Sequence, residues 1–351
     1  MNAALQCLSN TVPLTDYFLN YDWREEVNKD NPLGWKGEVA TAYASLIDRL
    51  WRGSDSVHDP SKFKSALDIF APTFRGYEQH DTQELLAFVL DALHEDLNRV
   101  TKKPYVEDAQ CEGDDPQEIA AAQSWKNYLL RNKSIIVDLF QGQLRSKLEC
   151  CTCGHTRIKF DTFMYLSLPL PDGIENPSLN ECLEEFCKVE KLSGDCGWSC
   201  PQCKVKRDAT KKINLWKVPP ILVIHLKRFK YFMDGSRKKI NADVGIPVDR
   251  WDMSQHILMP QRSQPVYQLF ATSNHSGTIR YGHYTAHVRK PGKPSTWYLF
   301  NDSTVEEMDA AEVQSKDSYV LFYDQLDLKS SGEYSRQSIS LPQLWPHMVS
   351  S

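Results

Sequence analysis

The chain has 351 residues, of which 41% are hydrophobic and 25% charged, an ordinary composition for a soluble globular protein with a sizeable core. Its formal net charge of −5 gives no general attraction to phosphate backbones, so we expect no nucleic-acid partner. No apolar run approaches the roughly 20 residues of a membrane span, so we expect no membrane insertion.

Helical patterns dominate the first part of the chain. The segment MNAALQCLSN is rich in helix formers and can end at Asn10, although no capping residue precedes it. Asp81 can cap a later helix, with Glu84 three positions on as in a capping box. Residues 107–119 are acidic and turn-rich, which predicts a surface loop. Apolar periodicity predicts helices over residues 1–10, 37–51 and 81–100.

Strand patterns follow from about Ser134, where the apolar period shifts toward two. The segments with this pattern are rich in aromatic and branched residues. After about Leu328 the chain is Ser-rich and aperiodic, which predicts disorder over residues 328–351. Strands are predicted within residues 142–150, 163–171, 221–229, 266–272 and 318–323.

Two C-x-x-C pairs carry a strong chemical signal. Cys150 and Cys153 form the first pair and Cys200 and Cys203 the second. C-x-x-C-G and C-P-x-C are the turns that zinc ribbons use, and four thiolates can surround Zn²⁺ tetrahedrally. The sequence therefore predicts one structural zinc, with strands and a helix between the two pairs.

Other interpretations of these cysteines are a relic site without metal and a redox pair. The redox role is the least favoured, because neither pair follows a thioredoxin-like βαβ pattern. Cys151, Cys196 and His155 are additional candidate ligands nearby. Since four cysteines already suffice, we expect these three residues not to bind the ion.

A histidine in a predicted strand is a candidate general base. His283 follows Gly282, and Asn301 or Asp302 at the end of the next strand could orient its ring. This is the base-and-orienter half of a Cys–His–Asn/Asp protease. The same residues also fit a structural strand histidine with satisfied hydrogen bonds, so they do not decide the role by themselves.

Taken together and in order, the motifs resemble the catalytic domain of ubiquitin-specific proteases, which are thiol-dependent deubiquitinases. The resemblance runs from Met1 to about Asp327. The segments that carry it are MNAALQCLSN, GYEQHDTQELLAFVLDALHEDLN, LFQGQL, the two C-x-x-C pairs, FMYLSLPLP, PPILVIHLKRF, GHYTA, and WYLFNDSTV followed by YVLFY.

The resemblance implies one α+β domain over residues 1–327, with the papain-like "right hand" fold. Residues 1–133 would form a helical thumb, and residues 134–327 the fingers and a β-rich palm, with a zinc ribbon near 150–203. The implied activity is hydrolysis of the isopeptide bond after the last glycine of ubiquitin. Ubiquitin and ubiquitinated proteins are the implied partners.

The resemblance also implies roles for individual residues. His283 would be the general base, Asn301 the third triad member, and Asp302 its helper or substitute.

Three further residues would contact the ubiquitin tail. Asp81 and Glu84 would meet its arginines, although helix capping explains them equally well. His275 would line the same channel, although it could be a simple turn residue.

The nucleophile is the missing part of this pattern. In the family a box such as Gly-Asn-Thr-Cys-Phe precedes the segment MNAALQCLSN, and its Cys attacks the substrate from a helix N-terminus. The printed chain begins two positions after that Cys, so we expect it to lack the nucleophile and to be inactive. Cys7 lies about 12 Å further along the helix, and we expect it to be a buried core thiol.

Three functions are compatible with these sequence patterns. The first is a working deubiquitinase whose cysteine box lies outside the printed chain. The second is a pseudoenzyme or scaffold that binds ubiquitin; Tyr281, where the family usually has glycine, and His287, where it usually has an aromatic residue, favour it. The third, a zinc-ribbon nucleic-acid binder, conflicts with the charge. The absence of a signal-peptide pattern and the resemblance together predict a cytoplasmic, nuclear or endosome-associated protein.

Overall fold

A computed structural model describes residues 1–326 apart from a few short segments. The predicted disordered tail, residues 328–351, lies outside the described residues. The segments left out are residues 55–56, 77–78, 108–110, 114, 232–233, 260–263, 279–280 and 294.

Helices fill the first part of the described chain, and the three predicted helices are confirmed as α1, α3 and α5. The last of them ends at Asp96 rather than near Val100, since Asn98 bonds instead to the backbone of Arg131 and Lys133. The described residues contain α1 (Asn2–Ser9), α2 (Val12–Asn20), α3 (Glu38–Arg52), α4 (Ser61–Phe70), α5 (Thr82–Asp96), α6 (Gln117–Leu129), α7 (Ile135–Phe140) and α8 (Leu179–Phe186).

Strands dominate from Gly142 onward, and every predicted strand segment contains one. The strands are β1 (Cys111–Glu112), β2 (Gly142–Cys150), β3 (Thr156–Phe163), β4 (Leu166–Leu168), β5 (Glu190–Leu192), β6 (Trp198–Cys200), β7 (Val205–Arg207), β8 (Ala209–Lys217), β9 (Ile221–Leu226), β10 (Phe229–Tyr231), β11 (Arg237–Lys239), β12 (Trp251–Asp252), β13 (Val266–Gly277), β14 (Gly282–Arg289), β15 (Trp297–Asn301), β16 (Thr304–Met308) and β17 (Ser318–Gln325).

Two larger sheets and two hairpins organise these strands. The eight-stranded sheet has the order β16-β15-β14-β13-β17-β9-β4, with β12 also paired to β13. It is antiparallel except for the parallel pair β4–β9. The five-stranded sheet has the order β1-β3-β2-β8-β5, and the hairpins are β6–β7 and β10–β11.

Two predictions about the first half need correction. Residues 107–119 are not simply a surface loop, because β1 lies within them and α6 already begins at Gln117. Cys111 is fully buried there and pairs with Ile158 of β3. The helix α7 falls where a strand period was expected; nearly all its residues are buried, so its apolar run shows no helical period.

The core lies on both faces of the eight-stranded sheet. One cluster joins α1–α5 and α7 to residues of β9, β13, β14, β15 and β17. A second cluster packs α8 against other residues of the same sheet. No helix within the described ranges is both long and apolar enough to cross a membrane. The layered packing brings the beginning of α1 to the ends of β14 and β15, where the site lies.

Candidate active site and metal centre

His283, Asn301 and Asp302 lie together at the edge of the eight-stranded sheet. His283 is the second residue of β14, and its Nε2 donates to Asn301 Oδ1 at 2.7 Å. Asp302 Oδ2 lies 3.9 Å from the same nitrogen. The His283 side chain is 51% exposed, and its Nδ1 has no hydrogen-bond partner within the described residues. Because the amide oxygen accepts from Nε2, Nδ1 is the ring nitrogen that remains available to a substrate or a thiol.

A tight turn places Asn301 and Asp302 side by side. Asn301 ends β15 and pairs with Thr304 of β16, so Asp302 and Ser303 form a two-residue connection. Asp302 has φ +50°, a left-handed conformation that aspartate tolerates better than most residues. The turn directs one side chain to the imidazole and the other toward α1.

The N-terminus of α1 meets this cluster. Asn2 Nδ2 donates to Asp302 Oδ1 at 2.8 Å. The positive end of the α1 dipole therefore lies beside the candidate base, an arrangement that favours a thiolate.

Cys7 is not the thiol of this site. It is fully buried in α1, about 7.5 Å along the helix axis from Asn2. Burial raises the pKa of the Cys7 thiol, which disfavours the nucleophilic thiolate. Within the described residues no cysteine sulfur hydrogen-bonds to His283.

Asp81 joins the beginning of α5 to the sheet. Its Oδ1 accepts the Gln83 amide at 2.7 Å, which confirms the predicted helix cap. The reciprocal bond that Glu84 would make in a capping box is not formed among the described residues; Glu84 is exposed in the first turn. Asp81 Oδ2 accepts the hydroxyl of Tyr319, a buried residue of β17.

His275 lies inside β13, so the interpretation of a simple turn residue is wrong. Its ring is 4% exposed and packs 4.8 Å from the Tyr284 ring and 5.2 Å from the Phe229 ring. Burial, with a smaller effect of Lys239, lowers its pKa. Its buried Nδ1 has no partner in the described part of the chain. A Cβ at Gly282 would lie 2.0 Å from His275 Nε2, so only glycine fits above this ring.

Three contacts at this site were not predicted from the sequence. Gln79 Oε1 accepts the Gly282 amide at 3.1 Å and links the segment before α5 to β14. Lys239 Nζ lies 3.0 Å from Asp317 Oδ1 and also donates to the His275 carbonyl. The Tyr319 bond to Asp81 is the third. Each joins distant segments; only the position of Gln79 beside the HDTQE motif could have suggested one of them.

The four predicted metal ligands form one cluster. Their sulfur atoms all lie within 4.8 Å of one another, with Cys153–Cys200 at 3.6 Å and Cys150–Cys203 at 4.0 Å. Zinc–sulfur bonds of about 2.3 Å in a tetrahedron give sulfur separations near 3.8 Å. The donor set therefore fits a tetrahedral thiolate-bound ion.

Both cysteine turns are built alike. Gly154 (φ +71°) and Lys204 (φ +57°) follow the second cysteine of each pair. Their amides donate to the carbonyls of Cys150 and Cys200, respectively.

The neighbouring thiols and imidazole take no part in this cluster. Cys151 and Cys196 are exposed and lie outside the four-sulfur group. His155 stacks on Trp198 at 6.0 Å, and its Nε2 lies 3.7 Å from a Glu112 carboxylate oxygen. Their exclusion from the metal site stays a prediction.

Residues 1–323 match the family described as "UCH: Ubiquitin carboxyl-terminal hydrolase". The chain belongs to this family. "Ubiquitin carboxyl-terminal hydrolase 2" of Gallus gallus is 41% identical over 289 residues, which are 82% of this chain and 80% of that protein. The family resemblance drawn from the motifs is thereby confirmed.

Two human members of the ubiquitin carboxyl-terminal hydrolase family are also similar. "Ubiquitin carboxyl-terminal hydrolase 2" is 38% identical over 326 residues, 92% of this chain and 53% of that protein. "Ubiquitin carboxyl-terminal hydrolase 21" is 37% identical over 346 residues, 92% of this chain and 59% of that protein. The chain thus spans a little over half the length of these human relatives.

Solved structures confirm the fold. "Structure of the SAGA Ubp8/Sgf11/Sus1/Sgf73 DUB module bound to ubiquitin aldehyde" has a TM-score of 0.70 at 23% identity, covering 92% of this chain and 66% of that one. A structure of the related module bound to monoubiquitin gives a TM-score of 0.70 at 25% identity, with the same coverage. The predicted α+β class and the ubiquitin carboxyl-terminal hydrolase fold are therefore confirmed.

Proposed function

We propose that the chain is a deubiquitinase domain that binds the ubiquitin tail and is built to hydrolyse the isopeptide bond after its last glycine. The observation that carries this proposal is the His283–Asn301 pair beside the N-terminus of α1. Family membership supports the reaction class, and the geometry supports the roles of the residues.

His283 is the proposed general base and acid. Its Nδ1 can take the proton of a thiol at the N-terminus of α1 and later give a proton to the leaving lysine amine. Asn301 holds the ring through Nε2. Asp302 supports the imidazolium electrostatically while it binds Asn2.

Asp81, Glu84 and His275 are the proposed contacts for the ubiquitin tail. Asp81 brings negative charge near His275. With the exposed Glu84 at the beginning of α5, it would face the arginines of that tail. His275 presents an unpartnered Nδ1 that could bond to an extended backbone. The capping role of Asp81 uses Oδ1 and coexists with this function.

Among the residues that the structure describes, no accessible thiol lies at the N-terminus of α1, since Cys7 is buried. A polypeptide made of the printed residues alone should therefore bind ubiquitin without cutting its conjugates. A chain with a cysteine placed ahead of Met1 would cut them. The two functions share one binding surface and differ in one sulfur atom.

The test compares the printed chain with a chain extended by Gly-Asn-Thr-Cys-Phe before Met1. Both should bind ubiquitin in calorimetry, and only the extended chain should cleave di-ubiquitin. His283→Ala in the extended chain should lower kcat by about 100-fold or more, and Asn301→Ala by less. Cleavage by the printed chain, or a ubiquitin electrophile attached to Cys7, would contradict the proposal.

We infer that the cysteine cluster binds one structural Zn²⁺, supported by its four sulfur donors and their separations. The ion would bridge the end of β2 to the β6–β7 hairpin. Mass spectrometry under native conditions should find about one zinc per chain. Cys200→Ser should lower zinc occupancy and thermal stability, whereas Cys196→Ser should change neither. A folded, metal-free wild-type chain would refute the inference.

Ubiquitinated proteins are the proposed partners, and the cytoplasm, nucleus or endosome the proposed location.

A further inference from the structure

The connection between β13 and β14 presents one large aromatic side chain next to the candidate base. Tyr281 is 80% exposed and stands two residues before His283. Isolated exposed aromatic residues are common on protein surfaces. This one differs from them in how firmly its backbone is held.

Three hydrogen bonds fix the backbone around Tyr281. Its carbonyl accepts the Thr278 amide at 2.8 Å, and its amide donates to Thr278 Oγ1 at 3.3 Å. The next amide, that of Gly282, donates to Gln79 at 3.1 Å. A side chain on a fixed backbone loses little entropy on binding, which is a property of binding hot spots.

The strand register determines which way Tyr281 faces. Gly277 pairs with Gly282 and Ser276 with His283, and the Thr278–Tyr281 bond extends this ladder by one position. Tyr281 directly precedes β14. If the alternation of side chains along β14 continues to this residue, Tyr281 and His283 share one face, with about 7 Å between their Cα atoms.

The opposite face of the same strand is already occupied. Gly282 and Tyr284 face His275, since the Tyr284 ring lies 4.8 Å from the His275 ring and Gly282 lies directly above it. By this alternation, the proposed tail-binding His275 of β13 and Tyr281, just before β14, face opposite sides of the β13–β14 pair.

The two faces suit the two halves of an isopeptide. The leaving amine must reach His283, because this residue supplies its proton. On the proposed function, a group bonded to that amine would lie on the face of Tyr281, and the ubiquitin tail would approach from the side of Asp81 and His275. We propose that Tyr281 is a specificity-determining residue that packs against the acceptor lysine stem and its flanking peptide. This inference rests on the proposed function.

The experiment measures the Kd of the printed chain for two ligands. One is free ubiquitin, and the other is ubiquitin joined through its C-terminal carboxyl to a lysine of a short peptide. The variants are Tyr281→Gly and Tyr281→Phe. The matched control is Tyr105→Gly, which removes an aromatic side chain that is 86% exposed elsewhere on the surface.

We expect Tyr281→Gly to weaken binding of the conjugate by about tenfold and to leave the Kd for free ubiquitin unchanged. Tyr281→Phe and Tyr105→Gly should resemble wild type with both ligands. If Tyr281→Gly binds the conjugate with the wild-type Kd, or loses equal affinity for both ligands, the proposed role of Tyr281 is refuted. The proposed function is not affected by either result. A wild-type chain that binds neither ligand would refute the proposed function as well.

Discussion

At the scale of single residues, the candidate site depends on a close steric contact between a glycine and a buried histidine ring. His275 fits into β13 only because Gly282 has no side chain above its ring. A glycine is therefore required before the candidate base His283 for a steric reason that the sequence alone did not reveal. His275 of β13 pairs with Tyr284, the residue after His283 on β14, so the buried histidine and the exposed candidate base lie on opposite faces of the sheet.

Gly282→Ala should destabilise the domain by about 1–3 kcal/mol, because the added methyl overlaps the buried His275 ring. Urea denaturation measures the change in the free energy of unfolding. His275→Ala supplies the control. Without the imidazole ring the added methyl has room, so the double variant should lose less free energy of unfolding than the two single variants lose together. Strict additivity would show that the two residues do not clash.

Burial at His225 predicts an acid sensitivity. Burial lowers the pKa of this histidine to about 4, although Asp81 partly opposes the shift. A folded-state pKa below the unfolded value of about 6.5 means that the unfolded chain binds the proton more readily. The stabilisation is therefore present above pH 6.5 and is lost as the pH falls toward 4, by about 2–3 kcal/mol.

His225→Asn tests this sign, because asparagine does not titrate. The free energy of unfolding should fall by about 2 kcal/mol less in the variant than in wild type between pH 7 and pH 4.5. The comparison of slopes removes any constant cost of the substitution, such as loss of the 3.0 Å contact with Ser167. Parallel pH curves would exclude His225 as a source of acid sensitivity.

At the scale of elements, α3 is capped by a residue from another helix. Asp96, the last residue of α5, is fully buried. Its Oδ1 accepts the Trp35 and Gly37 amides, and its Oδ2 accepts the Val39 and Ala40 amides, at 2.7–3.1 Å. One carboxylate thus satisfies four backbone donors at the positive end of α3.

Asp96→Ala should cost about 3 kcal/mol or more, since it leaves four amides without their charged acceptor. Asp96→Asn should cost less, because one oxygen remains. Asp48→Ala, which removes an exposed partner of Arg52 on α3, should change stability by under about 0.5 kcal/mol. Chemical denaturation distinguishes these outcomes, and a loss at Asp96 no larger than at Asp48 would contradict the capping role.

This cap marks the limit of what the sequence could predict. Local signals identified α1, α3, α5, the Asp81 cap and the two cysteine turns, because each depends on neighbouring residues. The helix α7 and the strand β1 were not predicted. A helix that is buried on all sides shows no hydrophobic periodicity, and a two-residue strand is too short to have one. The Asp96 cap and the Gln79 and Tyr319 contacts depend on tertiary packing, which a periodicity does not contain.

At the scale of the whole molecule, the site is assembled from both ends of the domain. The bond between Asn2 and Asp302 joins residues 300 positions apart. The candidate base, the amide that orients it and the helix terminus belong to β14, β15 and α1, respectively. The structure brings together His283, Asn301 and Asp302, to which the resemblance gave one shared role, and the adjacent strands β14 and β15 explain how residues far apart in the chain become neighbours.

That separation has a consequence during synthesis. The helix that opens the chain leaves the ribosome long before the hairpin that receives it, so the nascent domain holds an unfinished centre for almost its entire translation. Contacts between such remote segments also slow folding. A ribosome stalled anywhere before residue 302 would therefore display helices, and even the four-cysteine cluster, without the complete group of His283, Asn301 and Asp302.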